Sequence, residues 1–141
     1  MLAASVGPLS VMGIADLHLH TIVSDGTRIF SPAMLLNYVS VCTPLDLITI
    51  TEHNNMVGWE RAREFQLRPE NGRLQALALV PNIEVSSRDG HILGLGISRP
   101  GDSAMSTEET VLAIHEHGGL ALAPHPLAWL PTLKNFAGVG R

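Results

Sequence analysis

The stretch DLHLHTIVSDGT, residues 16–27, gathers more candidate metal ligands at short, patterned spacings than any other part of the chain. Ile14 to His20 reads as a strand. Side chains two apart in a strand share a face, so His18 and His20 project together, roughly 6.5 to 7 Å apart along the backbone. Two such imidazoles can converge on one ion. The turn signalled by Ser24-Asp25-Gly26 brings Asp25 back over the strand's C-terminal end, where its carboxylate can join them. A mixed nitrogen and oxygen set suits zinc, manganese or iron. Taken alone, His-x-His is also what two ordinary polar strand residues look like, so the reading depends on what the rest of the chain adds.

Working outward, Ser31-Pro32 has the form of an N-cap followed by proline at the first helical position, and Ala33 to Cys42 supplies the helix. Thr43-Pro44 ends it. Asp46 to Thr51, a short β-branched run, reads as a second strand and delivers Glu52-His53-Asn54 at its end. Gly58 to Gln66 has helical composition, and Pro69 to Arg73 reads as a polar turn. Leu77 to Ser86 carries a third strand, in which Pro81 predicts an irregularity and Glu84 stands as a lone carboxylate in an apolar run. A buried carboxylate needs an ion pair, hydrogen bonds or a metal, because an isolated buried charge costs several kcal/mol.

Arg88-Asp89-Gly90 is a hairpin-type turn, so His91 to Ile97 returns as a strand paired with its predecessor. Ser106-Thr107-Glu108-Glu109 opens a further helix with a capping signature, which runs to His117 and closes at Gly118-Gly119. Leu120 to Ala123 is the next strand, with Pro124-His125-Pro126 at its end; Leu127 to Arg141 has no strong pattern. Strands alternating with helices, each strand ending in a polar ligand, predict a parallel βα architecture with its chemistry at the C-terminal ends of the strands. Histidines after three separate strands, with Glu84 and Asp25, form a metal-binding constellation.

Length and composition narrow the classes. At 141 residues one domain is expected, with residues 1–13 as an N-terminal extension and 14–141 as the domain. A hydrophobic content of 45%, a charged content of 16% and a mean hydropathy of +0.21 argue against disorder. The net charge of −4 and the lack of any Lys or Arg run remove an electrostatic nucleic-acid footprint, while local contacts to a phosphate stay open. Cys42 is the single cysteine and cannot form an internal disulfide; it reads as a core residue in a reducing, cytoplasmic setting. Residues 1–13 lack a basic n-region and are broken by Gly7, Pro8 and Gly13, so no signal peptide is expected. No membrane helix is expected either, since the uncharged run from Ile29 to Leu45 is interrupted by Pro32, Asn37 and Pro44.

The motif blocks DLHLHTIVSDGT (16–27), TEHN (51–54), the Glu84 strand with HILGLGI (91–97), and GGLALAPHP (118–126) together resemble the polymerase and histidinol phosphatase family, the PHP domain. The resemblance covers nearly all of Ile14 to Pro126. It implies a distorted (βα)7 barrel, of which about five strands are present here, two or three divalent ions (Zn, Mn or Fe), and phosphoester hydrolysis by a metal-activated water. By position it implies His18, His20, Asp25, His53, Glu84 and His125 as metal ligands, with Glu84 bridging. His91 matches a position that is less uniformly a ligand, and a locally hydrogen-bonded hairpin residue is the equal alternative. Asp16 and Glu52 match outer-shell carboxylates that orient ligating imidazoles, Glu52 standing where the family commonly has Asp.

One departure is an absence. The family usually carries an Asp-x-His pair near the end of the domain, and no Asp or His follows His125 in this chain. The expectation is a C-terminally incomplete domain, short of about two strands, with at least one ion under-coordinated and with self-association through exposed barrel edges. Arg28 and Arg88 lie close to the ligand turns and could hold a phosphate, although an exposed arginine needs no such role. His115 and His117 read as helix-face or helix-end residues, and Trp59 and Trp129 as packing residues, Trp129 with a further place near the substrate.

The function expected is therefore metal-dependent hydrolysis of a small phosphomonoester, a nucleotide or a nucleic-acid end, the acidic balance favouring the small substrates. The rival is a catalytically incomplete module that binds metal or docks on a partner such as a polymerase subunit. Hydrolysis of a non-phosphate bond is a third option, because similar metal-lined barrels host other hydrolases.

Overall fold

A computed structural model describes residues 13–23, 30–99 and 104–126. The elements in chain order are β1 (Ala15–Asp16), α1 (Pro32–Cys42), β2 (Leu47–Ile50), α2 (Val57–Gln66), a 3-10 segment (Pro69–Ala76), β3 (Ala78–Ser87), β4 (Gly90–Leu95), α3 (Thr107–Glu116) and β5 (Leu120–Leu122). The expected α/β class holds. One five-stranded sheet runs in the order β1-β2-β3-β4-β5. β1, β2 and the first half of β3 are parallel; β3 and β4 form the expected hairpin, and β5 lies antiparallel to β4. Every strand except β4 therefore points the same way.

Pro81 marks the predicted irregularity. Ala78–Pro81 pairs with β2, whereas Asn82–Ser87 pairs with β4. The parallel register is then picked up again between His53 and Glu84. Glu84 consequently has a strand neighbour on each side, His53 on one and Leu93 on the other.

Each face of the sheet has its own role. Ile48 and Ile50 of β2 pack with Leu35, Leu36 and Val39 of α1 and with Ala62 of α2. Ile83 and Val85 of β3 pack with Ile92 of β4, Ile97 and Ile114 of α3. Strand alternation sends the residues between these, including Thr49, Thr51, Glu84 and His91, to the opposite face. Trp59 is a packing residue, as expected, lying against both clusters.

The helices begin and end where their caps dictate. Ser31 accepts the Met34 amide at the start of α1, ahead of Pro32. Ser106 and Glu109 form a reciprocal capping box on α3, and hydrogen bonds from the Ser106 amide and hydroxyl hold the Glu109 carboxyl below its usual range. Gly118, at φ 78°, and Gly119 close α3 with amides bonded to His115 and Ile114 carbonyls, the two bonds of a Schellman motif.

Three local expectations are corrected. The ladder of β1 stops at Asp16 instead of reaching His20, because the Asp16 carboxylate takes the His18 amide at 3.1 Å and turns the chain out of register. The chain rejoins the sheet at Leu19, whose carbonyl accepts the Thr51 amide at 2.7 Å. Pro69 to Arg73 lies within a 3-10 helix, not an open turn; buried Gln66 pins the far end of that segment by donating to the Leu74 and Leu77 carbonyls. Cys42 is exposed at the last turn of α1, since α1 buries the face carrying Leu35, Leu36 and Val39. Among the described residues no helix is long and apolar enough to cross a membrane.

Gly119 is a sensitive position. A Cβ there would meet the Leu95 carbonyl oxygen at 2.8 Å as well as the Ile97 side chain, whereas a Cβ at Gly72 would meet nothing within 4 Å. Gly119→Ala is therefore expected to destabilise the fold by about 1–3 kcal/mol in urea unfolding. Gly72→Ala should be neutral or slightly stabilising. Equal effects of the two substitutions would contradict this β4–α3–β5 packing.

Candidate metal centre

The centre is built on Glu84. Its side chain is 1% exposed, and five imidazoles reach its two oxygens. His18 Nε2 lies 3.1 Å, His20 Nε2 2.9 Å and His53 Nδ1 3.5 Å from Oε2. On the other side, His91 Nδ1 lies 2.8 Å and His125 Nε2 3.1 Å from Oε1. Burial by itself would raise the Glu84 carboxyl. Hydrogen bonds with His18, His20 and His91 and the field of His53 outweigh it and hold the group ionised, well below the usual carboxylate range.

The backbone explains why these side chains meet. His18 and His20 follow β1, His53 follows β2 and His125 follows β5, so all sit at the C-terminal ends of strands running in one direction. His91 opens β4, and because β4 runs backward its first residues lie at that same end, opposite Ser86. In a flat sheet, β1 and β5 would stand about 19 Å apart. The rings of His18 and His125 have centroids 6.0 Å apart, so the sheet curls with these residues on its inner face, a partial barrel.

The loop after β2 is wired to the centre by Asn54, which the sequence reading did not single out. Asn54 has φ 53°, its amide donates to the Glu84 carbonyl at 2.9 Å, and its Oδ1 accepts the Ser86 amide at 2.8 Å. The side chain thus continues the ladder past the end of β2 and fixes His53 against Glu84. An asparagine directly after a strand-terminal histidine, the residue type that tolerates positive φ, was the available signal.

The remaining site expectations fall in several places. His91, held open between ligand and hairpin residue, belongs to the cluster geometrically. Glu52 is fully buried, with Oε2 3.9 Å from His20 Nδ1, and Oε1 accepts both the amide and the hydroxyl of Thr21. The Asp16 carboxylate accepts the His18 backbone amide, setting the chain rather than an imidazole ring. Arg88 is exposed at the hairpin tip, where Asp89 is its charge partner at 3.8 Å. His115 and His117 lie exposed on and just after α3, away from strand ends, and His117 Nδ1 meets the Ala113 carbonyl. Asp25, Arg28 and Trp129 lie outside the described residues.

The donor set fits a divalent ion. In each of two groups, His18-His20-Glu84 and His53-Glu84-His91, one ligand atom per residue lies within 4.8 Å of the others. Donors about 2.1 Å from a shared ion stand roughly 3 to 3.5 Å apart, and His18 Nε2 and His20 Nε2 are 3.0 Å apart. Both nitrogens also face one carboxylate oxygen, a place a cation fills well. Glu84 is common to both groups.

Comparison with known proteins adds likenesses in sequence and in shape. A search against protein-family models finds no match. The chain is 31% identical over 121 residues to the uncharacterized protein MJ1587 of Methanocaldococcus jannaschii, covering 79% of this chain and 67% of that protein. A solved amidohydrolase from Chromobacterium violaceum, with bound sulfate and no metal, is similar at a TM-score of 0.46 and 23% identity. That match covers 72% of this chain and 32% of the other, so the chain spans about a third of that structure's length.

Replacing the shared carboxylate should be the most damaging single change to ion binding. Glu84→Gln keeps the shape and removes the charge; zinc affinity measured by calorimetry is expected to fall at least about 100-fold, while His115→Ala leaves it unchanged. The reverse ranking would place the ion elsewhere.

Proposed function

The chain belongs to the family of the uncharacterized Methanocaldococcus jannaschii protein, and from that premise and the Glu84 cluster we propose that it is a metal-dependent phosphoesterase of the PHP type. The observation that carries the reading is the meeting of both Glu84 oxygens with histidines from four further segments of the chain. These segments coincide with the motif blocks whose order resembles that family. In this reading His18, His20 and Glu84 would hold one ion, and His53, Glu84 and His91 a second. His125, beside Glu84 Oε1, and Asp25 would be further ligands.

Two or three zinc, manganese or iron ions, when bound, would supply Lewis acidity toward a phosphoryl oxygen and lower the pKa of a water. The chain's own groups do the rest. Glu84, kept ionised, offsets the positive charge brought into a buried place. Asn54 and the β3–β4 ladder hold the ligands at fixed separation, so little reorganisation is needed on binding. Arg28 and Arg88, next to the ligand turns, are assigned to the substrate's phosphate. A small phosphorylated substrate suits the net charge of −4 better than a polyanion.

A second reading is a metal-binding module without turnover, in which the buried Glu84 cluster serves the fold and not a reaction. Steady-state hydrolysis of p-nitrophenyl phosphate with added manganese separates the two. The phosphoesterase reading predicts turnover that chelator abolishes, and a fall of at least about 100-fold in His18→Ala and His53→Ala variants that remain folded. Ion binding with no turnover, or turnover untouched by both substitutions, contradicts it.

A further inference from the structure

A pocket of about 380 Å³ lies between the start of α1 and α2 and shares no lining residue with the Glu84 cluster. Its volume falls in the roughly 300–1,000 Å³ range of small-molecule sites. Ile22, Pro32, Ala33 and Phe65 supply its apolar lining. Pro32 is buried and Phe65 packs against the core cluster under α1, so that lining is held in place. The rest of the lining is charged. Arg61, Glu64 and Phe65, at i, i+3 and i+4, share one face of α2, and Arg68 follows just past its end. The Arg68 guanidinium lies 5.5 Å from the centre of the Phe65 ring and 3.6 Å from Glu64 Oε1, a contact too long for a firm hydrogen bond. Arg61 has no carboxylate and no hydrogen-bond partner among the described residues.

We propose that this pocket is a second binding site, which takes a small monocarboxylate with an apolar body, its head on Arg61 and its body against Phe65 and Pro32. The charges select the head. Two guanidinium groups beside one carboxylate leave a single positive charge unanswered, in a chain whose net charge is −4. A carboxylate carries one negative charge, whereas a phosphate monoester carries close to two at neutral pH. Arginine also meets a carboxylate through two parallel N–H···O bonds, which fixes the orientation of the head. The first turn of α1 is not the anion contact. Ser31 already holds the Met34 amide, and Pro32 has no N–H. Arg68 is placed over Phe65 before any ligand arrives, so less side-chain freedom is lost on binding. Ile22 lies two residues past His20, which puts the bound molecule beside the segment that delivers two of the histidines without touching them.

The test titrates the 15N-labelled full chain with 3-phenylpropionate at pH 7 and follows its amide resonances. Shifts are expected to concentrate at Ile22, Ala33, Arg61 and Phe65 and to saturate with a Kd of about 4 mM or tighter, the affinity such a small ligand can reach. Arg61→Ala, a change at an exposed side chain that leaves the fold alone, should weaken binding about 5-fold. The uncharged 3-phenylpropanol, with the same body, should also bind about 5-fold more weakly. Shifts that are absent or scattered over the surface, or Arg61→Ala binding as the parent does, overturn the inference. Tighter binding of 2-phenylethyl phosphate overturns the choice of a carboxylate head. Shifts centred on Glu84 and His91 would show the probe acting as a metal ligand, and they overturn it too. The same pattern is expected with and without zinc, so a chain that binds no zinc defeats the metal reading and leaves this site standing.

Discussion

A carboxylate buried to 1% exposure cannot stand alone in a protein interior, and much of this structure can be understood as the answer to that constraint at Glu84. Five imidazoles surround it. Histidine is the side chain suited to that task, because it can donate to a carboxylate when neutral and yield its nitrogen to a cation when one arrives. The arrangement is costly for stability alone, since apolar packing of similar volume would do as well or better. The same donors form two groups, sharing Glu84, that could hold a metal ion.

The backbone supplies the convergence. Three parallel strands and a parallel-pointing β5 place their termini at one end, and the reversed β4 adds its beginning to the same end. β3 carries the change of partner, with Pro81 at the junction and Glu84 just beyond it. The helices lie on the other face, so the apolar clusters and the polar centre are separated by the thickness of one sheet. Exposed Leu120, 69% accessible, and Leu122 lie on β5, the last strand in the order among the described residues.

Much of this was legible in the sequence, for reasons that are local. β-branched runs, prolines after helices and the capping box at Ser106 are short-range signals, and the structure follows them within a residue or two. His18, His20, His53 and Glu84 were readable because each closes or occupies such a run. What was hidden depends on pairs distant in the chain. Thr21 with Glu52 and Asn54 with Ser86 become visible only once the strands are in register. The early end of β1 has no sequence signal because the Asp16 side chain competes for a backbone amide, and the exposure of Cys42 has none because an apolar helix does not announce which face it buries.

The claim on which the rest depends is that the Glu84 cluster is a metal centre. Anomalous diffraction at the zinc or manganese edge, from crystals grown with that ion, tests it most directly. A peak is expected about 2.0–2.3 Å from His18 Nε2, His20 Nε2 and a Glu84 oxygen, and a second on the His53–His91 side of the same carboxylate. Density lacking any peak at Glu84, with ions found only at exposed histidines such as His115, would contradict it.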